Sequence, residues 1–365
     1  MNTLASPLSV SPALETDFAL PAVHPALGAE VRVQLHPQGI PLFVTPASTR
    51  LKEDFAAFHA WFVAHEQAFE DLLKVYGALR FRGFPIRETA DFSTMMAHYP
   101  SADMGYNGGG TPRAVVAGKV FEATRFDKEL TLPLHQEMSY LPDWPLKVAF
   151  YCRVAPSSGG ATNIGDIRRL EALVPQQLFE QVRQRGVLYK RNFRDGRLPT
   201  DGWHSYLTSL HRPWQQAFYT DDPAEAQSAC EKMGLEWQWL EDGSLQTSYR
   251  NSGFITHPVL GSRHWFNQIA TLIPLPSGSQ AWNAFIEHYG EDKPRPNDVQ
   301  YGDGTRIPRE LVEVLRLAYA QATVSEPWQA GEVLLLDNVL TCHGRAPFEG
   351  TRDVQVQLIG SCSND

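Results

Sequence analysis

Residues 331–359 read GEVLLLDNVLTCHGRAPFEGTRDVQVQLI, and this stretch carries a strong fold signal. It opens with an apolar run, Glu332–Asp337, that is typical of a buried strand. It closes with Asp353–Ile359, where polar and apolar residues alternate strictly, as in a half-buried antiparallel strand. Because the apolar strand Glu332–Asp337 ends shortly before His343, we expect His343 in the turn region beyond that strand. The stretch therefore predicts antiparallel β-structure with a histidine near one strand end.

Other segments extend this pattern along the chain. Further strand-like runs are rich in Val, Ile, Phe and Tyr and bounded by Gly, Pro or Asn; they are Lys147–Val154, Gly253–Leu260 and Arg263–Ile269. Apolar residues at helical spacing predict helices in Leu51–Tyr76, Leu170–Gln184, Ala224–Met233, Gln280–Tyr289 and Arg309–Ala322. We expect a mixed α/β fold with a mainly β core, a sandwich or barrel flanked by helices. No G-x-G-x-x-G motif or βαβ rhythm supports a Rossmann domain.

The domain organisation follows from composition and length. Residues 1–40 are rich in Pro, Ala and Ser, which predicts an irregular N-terminal arm. The 365-residue chain is long enough for one large domain with a sizeable core or for two modest ones, and we expect a single domain over residues 41–365. The helical segments between the strand-like runs predict a helical insert at about residues 170–245.

Charge and cysteine usage exclude several classes of protein. The formal net charge is -9, which is unfavourable for binding nucleic acid or an anionic membrane. No run reaches the about 18 apolar residues of a membrane span, and the first residues lack the pattern of a secretory signal. Four cysteines, none in a C-x-x-C pair, fit a reduced, cytoplasmic setting.

A second stretch, TLPLHQEMSY (Thr131–Tyr140), contains candidate metal ligands. Side chains at i and i+2 of a strand share a face, so His135 and Glu137 converge and Gln136 points away. Two histidines and a carboxylate form the facial triad of non-haem iron(II) oxygenases, which leaves coordination positions open. His343, 208 residues after His135, is the candidate for the third ligand. The same residues would also suit a zinc hydrolase with a metal-bound water.

Several motifs, taken together and in order, carry a family resemblance. They are LRFRGFP (Leu79–Pro85), YNGGGTPR (Tyr106–Arg113), LHQEMSYLPDWP (Leu134–Pro145), SGGATNIGDIR (Ser158–Arg168), HWFNQ (His264–Gln268) and LLLDNVLTCHGRAPFEGTR (Leu334–Arg352). The sequence resembles the taurine dioxygenase and clavaminate synthase-like superfamily of Fe(II)- and 2-oxoglutarate-dependent oxygenases. Within it, the likeness is greatest to the syringomycin-type aspartyl β-hydroxylases. The resemblance implies a double-stranded β-helix, or jelly-roll, for residues 41–365.

The resemblance also implies roles for individual residues. His135, Glu137 and His343 would bind Fe(II), while Thr162 and Arg352 would bind 2-oxoglutarate. The planar Arg fork suits the distal carboxylate of a dicarboxylate co-substrate. Related halogenases lack the carboxylate ligand, so Glu137 argues against halogenation.

Four further residues are candidate substrate contacts. Arg113 follows a Gly run that allows close backbone approach, and its alternative is an ordinary turn with a surface Arg. Asn267 could face the pocket, whereas its neighbours Trp265 and Phe266 fit core packing. Ser139 could line the pocket, and a packing role suits its position equally well. Arg345 follows the candidate ligand His343, and a structural ion pair is its alternative role.

The implied reaction uses O2 to hydroxylate an unactivated C–H bond of an amino acid or an amino-acid-derived molecule. Relatives in peptide-antibiotic pathways imply a role in secondary metabolism, with the substrate either free or bound to a peptidyl carrier protein. The same cofactor chemistry can give desaturation, epoxidation or cyclisation, and the sequence does not separate these outcomes. For oligomeric state, a homodimer is the default expectation.

Overall fold

The computed structural model describes residues 25–102, 115–122, 127–273, 280–290 and 294–364. Its strands are β1 (Val31–Leu35), β2 (Leu42–Pro46), β3 (Ala78–Phe81), β4 (Val115–Ala117), β5 (Val120–Glu122), β6 (Leu132–His135), β7 (Asp143–Val154), β8 (Ser158–Gly159), β9 (Ile164–Asp166), β10 (Val187–Phe193), β11 (Glu236–Trp239), β12 (Leu245–Asn251), β13 (Phe254–Thr256), β14 (Arg263–Trp265), β15 (Asn297–Tyr301), β16 (Val333–Asp337), β17 (Thr341–Arg345), β18 (Phe348–Glu349) and β19 (Asp353–Ser363).

Helices cover much of the remaining described chain. They are α1 (Thr49–Glu53), α2 (Phe55–Ala64), α3 (Glu66–Tyr76), α4 (Thr89–Met96), α5 (Ile167–Glu171), α6 (Gln176–Arg185), α7 (Ser205–Leu210), α8 (Trp214–Phe218), α9 (Pro223–Lys232), α10 (Ile269–Leu272), α11 (Gln280–Tyr289) and α12 (Arg309–Ala322), with a 3-10 helix at Pro25–Glu30. The predicted bounds of α11 and α12 are confirmed.

A large sheet forms the centre of the molecule, in the strand order β1-β2-β3-β16-β7-β19-β5-β4. Neighbouring strands are antiparallel except β2 and β3, which run parallel. Four smaller units accompany it within the described residues: the sheet β11-β12-β10-β15, the pair β13-β14, the sheet β6-β17-β9 and the pair β18-β8. The predicted mixed α/β fold with a mainly β core is confirmed.

The two faces of the large sheet bury different partners. On β7, Val148 and Phe150 join one apolar cluster, while Ala149 and Tyr151 join another that contains residues of α2 and α3. This alternation is the period of two expected of a strand. The Phe150 ring lies 5.1 Å from the ring of His343 on β17. The three-stranded sheet therefore lies against the face opposite the N-terminal helices.

The structure differs from the sequence-based boundaries at two places. Residues 1–24 of the predicted arm lie outside the described residues, but Val31–Leu35 is an edge strand paired with β2 rather than irregular chain. The predicted helical insert at residues 170–245 contains strands β10 and β11 as well as helices. Strand β10 (VLYKRNF) is buried along nearly its whole length and shows no alternation, and β11 (EWQW) alternates over only four residues, so neither gave a clear strand signal.

None of the helices in the described ranges combines the length and the apolar character that crossing a bilayer requires.

Candidate active site

His135, Glu137 and His343 come together at one edge of the three-stranded sheet. One ligand atom from each residue lies within 4.8 Å of the other two. His343 Nε2 is 3.3 Å from Glu137 Oε2, and the two imidazole rings are 4.5 Å apart between centroids. Glu137 and His343 are buried, whereas His135 keeps partial exposure. The arrangement offers two imidazoles and one carboxylate to a single ion.

The tautomer of His135 suits this role. Its Nδ1 lies 2.9 Å from the carbonyl oxygen of Pro133. A carbonyl only accepts, so Nδ1 carries the proton and donates, which leaves Nε2 of the neutral ring as a lone-pair donor.

The local backbone differs from the expectation in two respects. Strand β6 ends at His135, and Glu137 lies in the turn that follows, where Met138 adopts a left-handed conformation with φ 59°. His343, expected in a turn, lies within β17 and pairs directly with His135. The two histidines are thus held by a β-ladder, and the carboxylate is held by a turn.

Asn338 fixes that turn. The Glu137 N–H donates to Asn338 Oδ1 at 2.7 Å, and Asn338 Nδ2 donates to the Glu137 carbonyl at 3.0 Å and to the Pro145 carbonyl at 2.8 Å. Asn338 is fully buried. Its amide therefore satisfies three backbone groups on the segment that carries the carboxylate.

The segment around Asn338 has its own support. Asp337 Oδ1 accepts from the backbone N–H groups of Val339 and Leu340, at 2.9 and 3.0 Å. His257 accepts two backbone N–H groups at Nδ1, so its Nε2 carries the proton and donates to Asp337 Oδ2 at 2.9 Å. These contacts hold the turn that carries Asn338.

Gly344 allows β17 to lie close against β6. A Cβ added at this residue would meet the Leu132 carbonyl oxygen at 2.4 Å and the Pro133 carbonyl oxygen at 3.0 Å. Real Cβ atoms do not approach a backbone oxygen so closely. The glycine therefore sets the spacing between the strands that carry His343 and His135.

Arg352 and Thr162 meet beside this centre. Segment 161–164 runs next to 343–346, with Gly344 N donating to the Asn163 carbonyl at 2.8 Å. Arg352 Nε donates to the Gly160 carbonyl at 2.8 Å, and Arg352 Nη2 donates to Thr162 Oγ1 at 3.3 Å. Among the described residues, nothing accepts from Nη1 of Arg352. The N–H groups of Arg352 Nη1 therefore fit an anionic ligand such as a carboxylate.

Burial affects the charge of this arginine. Desolvation, and then the neighbouring Arg345 guanidinium, lower the pKa of Arg352 to about 10. The cation is therefore still protonated at neutral pH. A bound carboxylate would oppose both effects, because a neighbouring negative charge stabilises the protonated guanidinium.

The four candidate substrate contacts have different surroundings. Arg113 lies outside the described residues. Asn267 Nδ2 donates to the Gly253 carbonyl at 3.0 Å, and Ser139 Oγ donates to the Gln136 carbonyl at 3.0 Å, so both make structural hydrogen bonds. Arg345 shares the strand face of His343 and donates to the Leu130 carbonyl at 2.9 Å. None of these contacts assigns a substrate role.

Sequence reasoning missed three supporting residues. Asn338 and Gly344 lie in the LLLDNVLTCHGR stretch that also contains His343. For Asn338, a polar residue directly after an apolar strand was an available signal. Trp328 donates its indole N–H to Thr162 Oγ1 at 3.1 Å. A tryptophan in a Pro- and Glu-containing segment gives no such signal by itself.

Comparisons with known proteins agree with this geometry. A family model described as "Taurine catabolism dioxygenase TauD, TfdA family" matches residues 41–358. The dapdiamide synthesis protein DdaC of Enterobacter agglomerans is 34% identical over 294 residues, covering 80% of this chain and 84% of that protein. A clavaminate synthase-like protein of Arabidopsis thaliana is 30% identical over 297 residues, covering 79% and 83%.

A solved structure matches the fold. The crystal structure of AAD-2 in complex with Mn(II) and N-oxalylglycine has a TM-score of 0.50 and 11% identity, covering 92% of this chain and 98% of that one. At this level of identity the likeness concerns the fold alone.

The chain belongs to the TauD and clavaminate synthase-like family of Fe(II)- and 2-oxoglutarate-dependent oxygenases. It is a 2-oxoglutarate-dependent dioxygenase, and its cofactors are Fe(II) and 2-oxoglutarate. The donor set fits iron, since two imidazoles and one carboxylate leave positions for co-substrate and oxygen. The same donor set would also suit zinc, so it is membership of this oxygenase family that rules out the zinc hydrolase alternative.

Proposed function

We propose that this enzyme hydroxylates an unactivated C–H bond of an amino acid or an amino-acid-derived molecule. The convergence of His135, Glu137 and His343 within 4.8 Å carries the proposal. We assign these three residues as the Fe(II) ligands, and Arg352 with Thr162 as the contacts to the distal carboxylate of 2-oxoglutarate. The retained carboxylate ligand favours hydroxylation over halogenation.

The chain's own residues have distinct tasks in this reaction. When bound, Fe(II) with 2-oxoglutarate and O2 supplies the oxidising power for oxygen insertion, and 2-oxoglutarate leaves as succinate and carbon dioxide. The paired strands β6 and β17 hold the two histidines, and Asn338 orients the segment of Glu137. Arg352 fixes the far end of the co-substrate. Such fixed geometry is the main contribution a protein makes to cofactor chemistry.

The fold proposed for this site is a double-stranded β-helix. Support comes from the antiparallel neighbours of β7 and from the contact between Phe150 on the large sheet and His343 on the three-stranded sheet. In such a fold, the metal ligands lie between two facing layers of strands.

The substrate class rests on relatives. A 34% identical protein is named for dapdiamide synthesis, which favours a biosynthetic role for this chain too. The sequence motifs favour the syringomycin-type aspartyl β-hydroxylases within the family. We therefore place the enzyme in secondary metabolism, such as antibiotic biosynthesis. Its amino-acid substrate would be either free or bound to a peptidyl carrier protein. A homodimer remains the default expectation, testable by sedimentation.

Cofactor use is tested first by spectroscopy. Metal-free protein, kept without oxygen, receives Fe(II) and then 2-oxoglutarate, and we expect a visible metal-to-ligand charge-transfer band that needs both additions. His135→Ala should show no band. Absence of the band in the native protein would refute the assigned centre.

The reaction is tested by mass analysis of products. Free amino acids and carrier-bound aminoacyl groups are incubated with Fe(II), 2-oxoglutarate and O2. Gain of one oxygen atom by one of them supports hydroxylation. Loss of two hydrogens without gain of oxygen would replace hydroxylation by desaturation or cyclisation, and oxygen added across a double bond would indicate epoxidation.

A further inference from the structure

The Thr162 hydroxyl accepts hydrogen bonds from two donors. Trp328 Nε1 donates to Thr162 Oγ1 at 3.1 Å, and Arg352 Nη2 donates to the same oxygen at 3.3 Å. A hydroxyl has two acceptor lone pairs and one proton. Both acceptor positions are therefore taken. Among the described residues, none accepts the Thr162 proton, so this hydroxyl is left to act as a donor.

The indole of Trp328 is itself held firmly. Arg80 Cζ lies over its ring, 4.4 Å from the centroid, and Arg80 Nη2 donates to the Pro327 carbonyl at 2.8 Å. On the other side of Trp328, Gln329 N donates to Glu332 Oε2 at 2.8 Å. Arg80 and Glu332 are each only 1% exposed and form an ion pair of 2.6 Å. A buried charged pair therefore clamps the backbone on both sides of Trp328.

We propose that Trp328 is a positioning residue for 2-oxoglutarate, because its N–H fixes the Thr162 hydroxyl as a donor to the distal carboxylate of the co-substrate. The inference rests on the proposed roles of Arg352 and Thr162. A hydroxyl that is free to rotate must be oriented when the ligand binds. Here the orientation is set in advance, which lowers the cost of binding.

This role concerns only ligands that carry a second carboxylate. 2-Oxoglutarate has one, whereas pyruvate has the same 2-oxo acid group and lacks the distal carboxylate. Loss of the indole N–H should therefore weaken 2-oxoglutarate and leave pyruvate unaffected. A general structural role for Trp328 would weaken both ligands equally.

The test is a calorimetric titration of the Fe(II)-loaded protein without oxygen. We expect Trp328→Phe to bind 2-oxoglutarate about tenfold more weakly, the size expected for one lost hydrogen bond to a charged network. Binding of pyruvate and of Fe(II) should not change. Trp214→Phe is the matched control, because Trp214 is 1% exposed and its Nε1 has no hydrogen-bond partner among the described residues.

A double-mutant cycle with Thr162→Val identifies the route of the effect. Without the hydroxyl there is nothing to orient, so adding Trp328→Phe to Thr162→Val should cause no further loss of 2-oxoglutarate affinity. An undiminished loss in that background, or equal weakening of pyruvate, would overturn the proposal. Should the Phe variant not fold, benzothienylalanine at position 328 keeps both rings and deletes only the N–H.

Arg352→Ala separates this inference from the proposed function. If that variant binds 2-oxoglutarate as well as the native protein does, the assigned co-substrate site is wrong, and the role of Trp328 fails with it. If Arg352→Ala weakens 2-oxoglutarate but Trp328→Phe does not, only the role of Trp328 fails.

Discussion

Asn338 and Glu137 exchange two hydrogen bonds, one in each direction, between the Asn338 side-chain amide and the Glu137 backbone. The residues are 201 positions apart in the chain. The position of Glu137, the proposed carboxylate ligand, therefore depends on Asn338, which is not itself one of the proposed ligands.

Replacing Asn338 should loosen the metal centre. We expect Asn338→Ala to weaken Fe(II) binding by about 10- to 100-fold, the range for loss of a group that orients a ligand. The measurement is competition for Fe(II) with a chelator of known affinity. Asn192→Ala is the control, since Asn192 is also buried and its amide hydrogen-bonds Arg295 and Gln246 away from the triad. Unchanged Fe(II) affinity in Asn338→Ala would contradict the role.

Gly344 should tolerate no side chain. In Gly344→Ala the new methyl would press on the Leu132 carbonyl oxygen, at 2.4 Å, and must move β6 away from β17. We expect loss of the iron- and co-substrate-dependent absorption band, because His135 moves with β6. Gly196→Ala is the control, as its nearest neighbour is the flexible end of Gln215. A full band in Gly344→Ala would show that the strands can separate without harm.

The buried carboxylate of Glu332 should be essential for stability. It accepts from Arg80 Nη2 at 2.6 Å and also from Arg82. We expect Glu332→Gln to lower the free energy of unfolding by about 3–5 kcal/mol, because it leaves buried positive charge without its partner. Urea denaturation measures this. Glu30→Gln breaks the exposed pair with Arg50 and should cost less than about 1 kcal/mol.

His211 should make stability dependent on pH. Its burial, with a smaller effect of Arg194, lowers the pKa of the imidazole from 6.5 to about 4. Protonation therefore favours the unfolded chain: the stability contribution is complete above pH 6.5 and is lost as pH falls towards 4. The loss should reach about 3 kcal/mol.

Variants of His211 and its neighbour test that assignment. Denaturation at pH 7 and pH 4 should show a smaller pH dependence for His211→Gln than for the native protein. Tyr289 Oη contacts His211 Nδ1 at 2.8 Å, but desolvation is the larger cause of the lowered pKa. Tyr289→Phe should therefore keep most of the dependence. If the pH dependence of stability is unchanged in His211→Gln, other groups must cause it.

The sequence predicted the kinds of residue at the centre better than their conformations. His135 and Glu137 were expected on one strand because i and i+2 share a face. They converge instead through a left-handed turn at Met138 and the distant amide of Asn338. A contact between residues so far apart leaves no local pattern. The family motifs nevertheless indicated all three members of the triad that the structure brings together.

Strand β19 was also predicted correctly from the sequence in kind but not in its surroundings. The alternation of Val354, Val356 and Leu358 predicted a strand with one face in water. The strand exists, but Gln355 and Gln357 on the other face are buried at 1% and 3% exposure. Gln357 Nε2 lies 3.4 Å from the Met96 carbonyl of α4. The prediction of a face in water, made from polarity alone, was therefore wrong, because a helix covers that face.

The position of β7 between β16 and β19 has a consequence for how the chain folds. Both partners lie far later in the sequence: Phe150 pairs with Leu334 on one side and with Val356 on the other. Pairings across such separations form slowly, since a long loop must close before they contribute stability. During synthesis both edges of this apolar strand stay open until its partners emerge from the ribosome. Open apolar edges invite aggregation, so slow expression at low temperature should increase the yield of folded enzyme.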